Sequence, residues 1–189
     1  MNVMNKKIWF IADFHFGHNN VIKYCDRPFK TTTEMNTAMI KNFNKVVGKN
    51  DVVYILGDIS WLNTQSTKQI IKSLNGFKFL VKGNHDRKGN QYYRNMGFVE
   101  VYDHPIILDD KIALSHNPLY TNYLNIHGHT HNVKENKRGT NSFCVSVEMI
   151  NYTPISLQEI FEQNREIVEY NKVEQYDTTY NNDTDTTHW

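Results

Sequence analysis

The stretch 80–88 reads LVKGNHDRK, and it changes character at its midpoint. With Phe77, Lys78 and Phe79 before it, the segment opens as a mostly apolar run of strand length, stops at Gly83, and delivers Asn84, His85 and Asp86 together. An amide, an imidazole and a carboxylate in one short loop exceed what a turn requires. The pattern recurs in IWFIADFH (8–15), VVYILGD (52–58), KIALSHN (111–117) and YLNIHGHTH (123–131). Each run is rich in β-branched or aromatic residues and too uniformly apolar for a one-sided strand, so most are expected to be buried on both faces.

Helical periodicity lies between the first runs. In TTTEMNTAMIKNFNKVV (31–47) a Thr cap and Glu34 open a helix whose Met35, Met39, Phe43, Val46 and Val47 share one stripe. NTQSTKQIIKSLNG (63–76) is a second capped helix, closing at Gly76. The order strand, helix, strand, helix, strand predicts an α/β layered sheet, in which ligands bind beyond the carboxyl ends of the strands. Short strands with little helix follow over residues 99–147, predicting mixed or antiparallel additions. SLQEIFEQNREIVEYNKVEQ (156–175) reads as a closing helix with Leu157, Ile160, Phe161 and Val168 inward. Residues 1–170 are expected to form one domain, and residues 171–189, rich in Asn, Asp and Thr, a polar disordered tail.

Composition narrows the function classes. The 189 residues are 39% hydrophobic, enough for one full core. Lys plus Arg (21) nearly balances Asp plus Glu (20), which argues against general electrostatic attraction to nucleic acid or membrane. Cys25 and Cys144 form no C-x-x-C pair and suit a reducing compartment, so a cytoplasmic location is expected. No run reaches the roughly 20 apolar residues of a membrane helix.

The strand ends together offer Asp13, His15, Asp58, Asn84, His116, His129 and His131. Asp13 and His15, like His129 and His131, stand two apart, so in extended chain both side chains would leave on one side. Oxygen and nitrogen donors without thiolate suit Mn²⁺, Fe, Zn²⁺ or Ni²⁺ in a catalytic site better than a closed structural zinc site. Seven donors are too many for one tetrahedral ion but enough for two ions about 3.5–4 Å apart, as in two-metal phosphatases and nucleases.

The ordered set D-x-H, G-D, G-N-H-D, a single His and G-H-x-H over residues 13–131 resembles the calcineurin-like metallophosphoesterases. DFHFGHNNVIKYCDRPF (13–29) further resembles a small branch of that family without cap domains, seen in bacteria and their viruses. The resemblance implies a two-sheet β-sandwich flanked by helices, in four αββα layers. It implies one ion on Asp13, His15 and His131, a second on Asn84, His116 and His129, and Asp58 bridging them. It also implies that His85 protonates the leaving oxygen while Asp86 orients or charges its imidazole. Two divalent ions, Mn²⁺ first among the candidates, would activate a water and neutralise phosphate charge. Gly57, Gly83 and Gly128 each precede a ligand, where the missing Cβ allows a sharp backbone turn.

Here the sequence departs from the common D-x-H-G form, because Gly17 comes one residue late. His18 is thereby left as either a substrate contact or a helix cap, with Asn19 and Asn20 as caps of a helix beginning at Val21. Arg27 and Arg87 are candidate phosphate clamps, weighed against exposed solvated arginines. His104 and His127 read as structural histidines, and His188 lies in the tail. About 30 residues separate Asp86 from His116 and about 13 separate His116 from His129. Neither gap holds a specificity domain, so an open site for small or nucleotide-like phosphoesters is expected. The expected activity is phosphodiester hydrolysis, with phosphomonoester hydrolysis beside it. Its rivals are a nuclease on DNA or RNA ends, which the balanced charge disfavours, a protein phosphatase, and a silent metal-binding scaffold.

Overall fold

The computed structural model describes residues 6–131 and 141–163. The expected tail, Val168 and His188 lie outside the described residues. All five apolar runs are strands. β1 (Ile8–Ile11), β2 (Val52–Ile55), β3 (Phe77–Val81) and β4 (Glu100–Tyr102) form a parallel ladder in the order β4-β3-β2-β1. A second sheet follows in the order β5 (Ile106–Leu108), β6 (Ile112–Ser115), β7 (Leu124–His127), β8 (Ser142–Cys144). There β5 runs antiparallel to β6, whereas β6, β7 and β8 are parallel. The last strand, β9 (Ile155–Ser156), returns to the first sheet and pairs antiparallel with β1. The second half is thus mixed, and β4 extends the parallel sheet.

Four helices connect the first sheet: α1 (Asn19–Tyr24), α2 (Thr32–Val46), α3 (Thr64–Ser73) and α4 (Asn90–Arg94). Thr31 caps α2 by accepting from Glu34 N, and Glu34 returns a carboxylate to Lys30 N, so the cap spans one residue more than a reciprocal box. Asn63 caps α3 by accepting from Ser66 N. At α1 the cap position is His18, whose side chain makes no capping bond, and Asn19 and Asn20 are the exposed first residues of the helix rather than its caps.

Strand alternation divides the core in two. Trp9 and Ile11 of β1 face Met35, Met39 and Phe43 of α2 and Ile71 of α3. Phe10, Ala12, Leu56 and Val81 face Leu114, Ile126, Phe143 and Val145 of the second sheet. The result is two mixed sheets packed face to face and flanked by helices. Each fully buried Phe, Leu or Ile in these layers contributes about 1.5–3 kcal/mol. Residues 157–163 turn helical, with Ile160 buried between the sheets, but Phe161 is 40% exposed rather than inward. His104 is exposed, so it is not a core histidine.

Candidate metal centre

The carboxyl ends of β1, β2, β3, β6 and β7 meet at one edge of the sandwich. They carry Asp13, Asp58, Asn84, His116 and His129 respectively, and the backbone binds these loops to one another. Asp13 N donates to Gly57 O (3.0 Å) and His15 N to Asp58 O (3.0 Å). His85 N donates to Asp58 Oδ1 (2.9 Å), and His129 N to Asp13 Oδ2 (2.8 Å). Asp13 is fully buried, with Ser146 Oγ donating to the same Oδ2 at 2.6 Å.

Extended-chain spacing does not bring Asp13 to His15 or His129 to His131. Asp13 (φ 60°), His15 (φ 49°), Asp58 (φ 55°) and His129 (φ 68°) are all left-handed, a conformation costly to side chains with a Cβ. That strain is held by the cross-loop bonds and gathers at the donor atoms. Gly57 takes φ +92°, and a Cβ there would stand 2.6 Å from Gly83 and His116 Nδ1. Gly83 is needed for close approach rather than for a turn: its Cβ would lie 2.2 Å from Asp58 Oδ1.

Asp58 Oδ2 lies at the centre of the group. His15 Nε2 and His116 Nε2 are each 3.6 Å away, and His85 Nε2 is 3.9 Å away. Asp13 Oδ1 is buried without a hydrogen-bond partner, 4.0 Å from His15 Nε2 and 3.9 Å from His131 Nε2. These separations are long for hydrogen bonds, yet they match donors sharing an ion at about 2.1 Å each, which stand about 3.4 Å apart in a tetrahedron. Among the described residues three sets have donor atoms within 4.8 Å of one another: Asp13, His15 and His131; Asp13, Asp58 and His116; and, beside the centre, Cys25, His131 and Glu148. His116 Nε2 also meets Asn84 Oδ1 (2.9 Å) and His129 Nδ1 (3.1 Å). The structure therefore brings together all seven expected donors, and the orphaned buried carboxylate oxygen among imidazoles fits divalent cations.

Outer partners aim the rings. His116 Nδ1 contacts Leu56 O (2.8 Å), which leaves Nε2 for the centre. His131 Nδ1 contacts Glu148 Oε1 (2.9 Å), which leaves Nε2 facing Asp13. Burial, with the neighbouring His131 and Arg27 charges, holds His15 down at about 2, so it is neutral and ready to ligate. Burial raises Asp13 to about 6, against the pull of His131 and His116. His131 is opposed by burial but lifted to about 10 by hydrogen bonds to Cys25 and Glu148 and by the Glu148 and Asp13 charges.

Two expected roles are corrected. Arg27 is no phosphate clamp: its side chain is fully buried and all three guanidinium nitrogens are engaged within the protein. Nε donates to Glu148 Oε1 (2.8 Å), with Nη2 2.7 Å from the same oxygen in an ion pair; Nη2 donates to Asp13 O (2.8 Å), and Nη1 to Phe14 O (2.9 Å) and Met35 Sδ (3.3 Å). It braces the strained backbone of Asp13 from beneath. Asp86 does not orient the His85 imidazole either. Its buried carboxylate accepts from Asp58 N (2.8 Å), Gly83 N (2.9 Å) and Ile59 N (3.2 Å), locking the β2 and β3 loops together. The carboxylate beside the His85 ring is that of Asp58.

His18 stacks on Trp61, with ring centroids 4.4 Å apart and planes 11° apart, and also lies 5.7 Å from His15. Arg87 is exposed beside the loop. His127 is buried, its Nδ1 on Gly128 O (2.8 Å), as expected of a structural histidine. Glu148, Ser146 and Trp61 escaped the sequence reading because none sits in a run that ends in polar residues; an acidic residue in the otherwise apolar stretch 143–150 was the one available signal for Glu148.

A family profile described as calcineurin-like phosphoesterase matches residues 6–184. The chain is 38% identical over 170 residues to the uncharacterized protein MJ1445 of Methanocaldococcus jannaschii, covering 82% of this chain and 89% of that one. It is 38% identical over 84 residues to the Gene 66 protein of Mycobacterium phage L5, covering 41% of this chain and 39% of the phage protein. Among solved structures, the protein of unknown function AQ665 from Aquifex aeolicus superposes with a TM-score of 0.67 at 30% identity, over 84% of this chain and 100% of that one. With a profile match along nearly the whole chain, and with the donor-bearing loops of that family's motifs converging at one edge of the sandwich, this chain belongs to the calcineurin-like phosphoesterase family.

Proposed function

We propose that this chain is a dinuclear-metal phosphoesterase that hydrolyses phosphodiester bonds, with phosphomonoester hydrolysis beside it, on a small or nucleotide-like substrate. The observation that carries the reading is the position of Asp58 Oδ2, between His15 and His116 at 3.6 Å each and with His85 on its third side at 3.9 Å. A carboxylate so placed would be shared between two ions, one of which Asp13, His15 and His131 would hold and the other Asn84, His116 and His129. When bound, two divalent cations, Mn²⁺, Fe, Zn²⁺ or Ni²⁺ by donor type, supply Lewis-acid stabilisation and water activation.

The chain's own groups do the rest. His85 has its side chain 36% exposed, so it can reach a phosphoester resting on the centre. A protonated imidazole in that position can give the leaving oxygen its proton. Asp86 keeps the loop that carries His85 fixed relative to Asp58, which holds the donor in register with the phosphate. Glu148 keeps the His131 ring oriented.

The test is hydrolysis of bis(4-nitrophenyl) phosphate and 4-nitrophenyl phosphate by metal-stripped protein with single metals restored. Asp58→Asn should lose an ion and lower turnover about a hundredfold or more, whereas His85→Ala should keep both ions and lose about 10²–10⁴-fold. Two bound ions with no turnover of either ester would refute the hydrolytic reading.

A further inference from the structure

A groove of about 340 Å³ opens beside His85. Trp61, Leu62, Arg87, Lys88 and Tyr92 form its walls, and Ile59, Thr67 and Tyr93 lie deeper. Trp61 is 53% exposed, and its ring lies 5.2 Å from that of His85. His85 is thus shared by the metal centre and the groove: it lines the groove beside the indole, which none of the seven donors does, and its Nε2 is 3.9 Å from Asp58 Oδ2. Tyr92 is held in place by its hydroxyl, 3.0 Å from Thr64 Oγ1.

We infer that this groove receives the leaving half of the substrate, and that this half is a nucleoside bearing a further phosphate, so the substrate is a short oligonucleotide-like phosphodiester. The inference rests on the hydrolytic reading of the adjoining site. A group that protonates the leaving oxygen must face the leaving side of the phosphate, so whatever departs lies beyond His85. The walls then select its chemistry. The part of the indole that the stacked His18 ring leaves exposed, and a fixed phenol, offer stacking to a flat base whatever its identity. Arg87 and Lys88, both exposed and on the loop that follows His85, suit the next phosphate. A volume near the low end of the range for small-molecule sites fits one nucleoside rather than a duplex. The near-neutral whole chain does not oppose this, because a single nucleotide needs only local charge.

The experiment compares kcat/KM for three diesters: the thymidine dinucleoside phosphate TpT, TpTp with an added terminal phosphate, and the methyl ester of thymidine 3′-phosphate. The metal-loaded full chain is used. TpT should exceed the methyl ester, and TpTp should exceed TpT. Trp61→Ala should lower the TpT to methyl ester ratio about five- to a hundredfold, and Trp61→Phe should retain most of it. Arg87→Ala should lower the TpTp to TpT ratio about three- to fivefold. Ratios near one in the parent, or ratios unmoved by both alanine variants, overturn the proposal while leaving hydrolysis standing.

Binding of thymidine 3′,5′-bisphosphate is measured in parallel. If no diester turns over but this nucleotide binds, and Trp61→Ala weakens it by a similar factor, the groove stands and the hydrolytic reading falls. Neither turnover nor Trp61-dependent binding overturns both.

Discussion

Replacing Arg27 by Met tests how the centre is braced. The guanidinium donates once from Nε, twice from Nη1 and once from Nη2, all inside the protein, and pairs with a Glu148 side chain only 8% exposed. Breaking a buried ion pair by removing one partner costs about 3–5 kcal/mol; here Glu148 loses its guanidinium and keeps the His131 imidazole. The carbonyls of Asp13 and Phe14 lose their donors at about 1 kcal/mol each, part of the same total. A single Arg27→Met variant should therefore lose about 4 kcal/mol. For a chain of this size that corresponds to a Tm about 8–16 °C lower. A double Arg27→Met/Glu148→Met variant removes that carboxylate but also the partner of His131 Nδ1, and should recover to a loss of about 3 kcal/mol, about 1 kcal/mol for each of the two carbonyls and for the His131 bond. Urea and thermal melts in excess chelator measure this without metal linkage. A single variant within about 1 kcal/mol of the parent, or a double variant no more stable than the single, refutes the buried clamp.

Metal affinity should depend on pH with a definite sign. In the metal-free protein His131 keeps its proton to about 10, above its ordinary 6.5, so its contribution to stability is full below 6.5 and lost as pH rises through about 10. An ion bound at Nε2 displaces that proton. Affinity measured by chelator competition should therefore rise about tenfold per pH unit above about 6, where Asp13 has already ionised, and level off near 10; a flat profile counts against His131 as a ligand. Gly83→Ala would place a Cβ 2.2 Å from Asp58 Oδ1 and 2.7 Å from Asp58 N, so Asp58 must move. That variant should cost about 1–3 kcal/mol and lose at least one bound ion by elemental analysis, and full metal content would show that the loops do not need their close approach.

The residues that could be read in the sequence share one property. Asp13, Asp58, Asn84, His116, His129 and His131 each follow an apolar run, and a strand's period and hydrophobicity are local signals. Once parallel strands are inferred for the first sheet, their carboxyl ends are known to share an edge, so Asp13, Asp58 and Asn84 fall together; that β6 and β7 run parallel and bring His116 and His129 to the same edge came from the structure. The caps of α2 and α3 at Thr31 and Asn63 were legible for the same reason, since a cap depends on residues three positions apart. His18 failed as a cap because its ring found Trp61, 43 positions along the chain, instead of a neighbouring amide.

By itself the sequence determined the strand and helix pattern, the layered α/β class and the donors of the candidate centre, because hydrophobic period, capping and strand termination act over a few residues. Only the tertiary structure decided what surrounds those donors. It buried Arg27 instead of exposing it to phosphate, turned Asp86 onto the amides of Gly83, Asp58 and Ile59 instead of onto His85, and joined Glu148 to His131. It also set Asp13, His15, Asp58 and His129 in left-handed backbone. These outcomes depend on which loops pack against one another, and a buried charge or unpaired amide takes the partner that folding places within reach, however far away it lies in the chain.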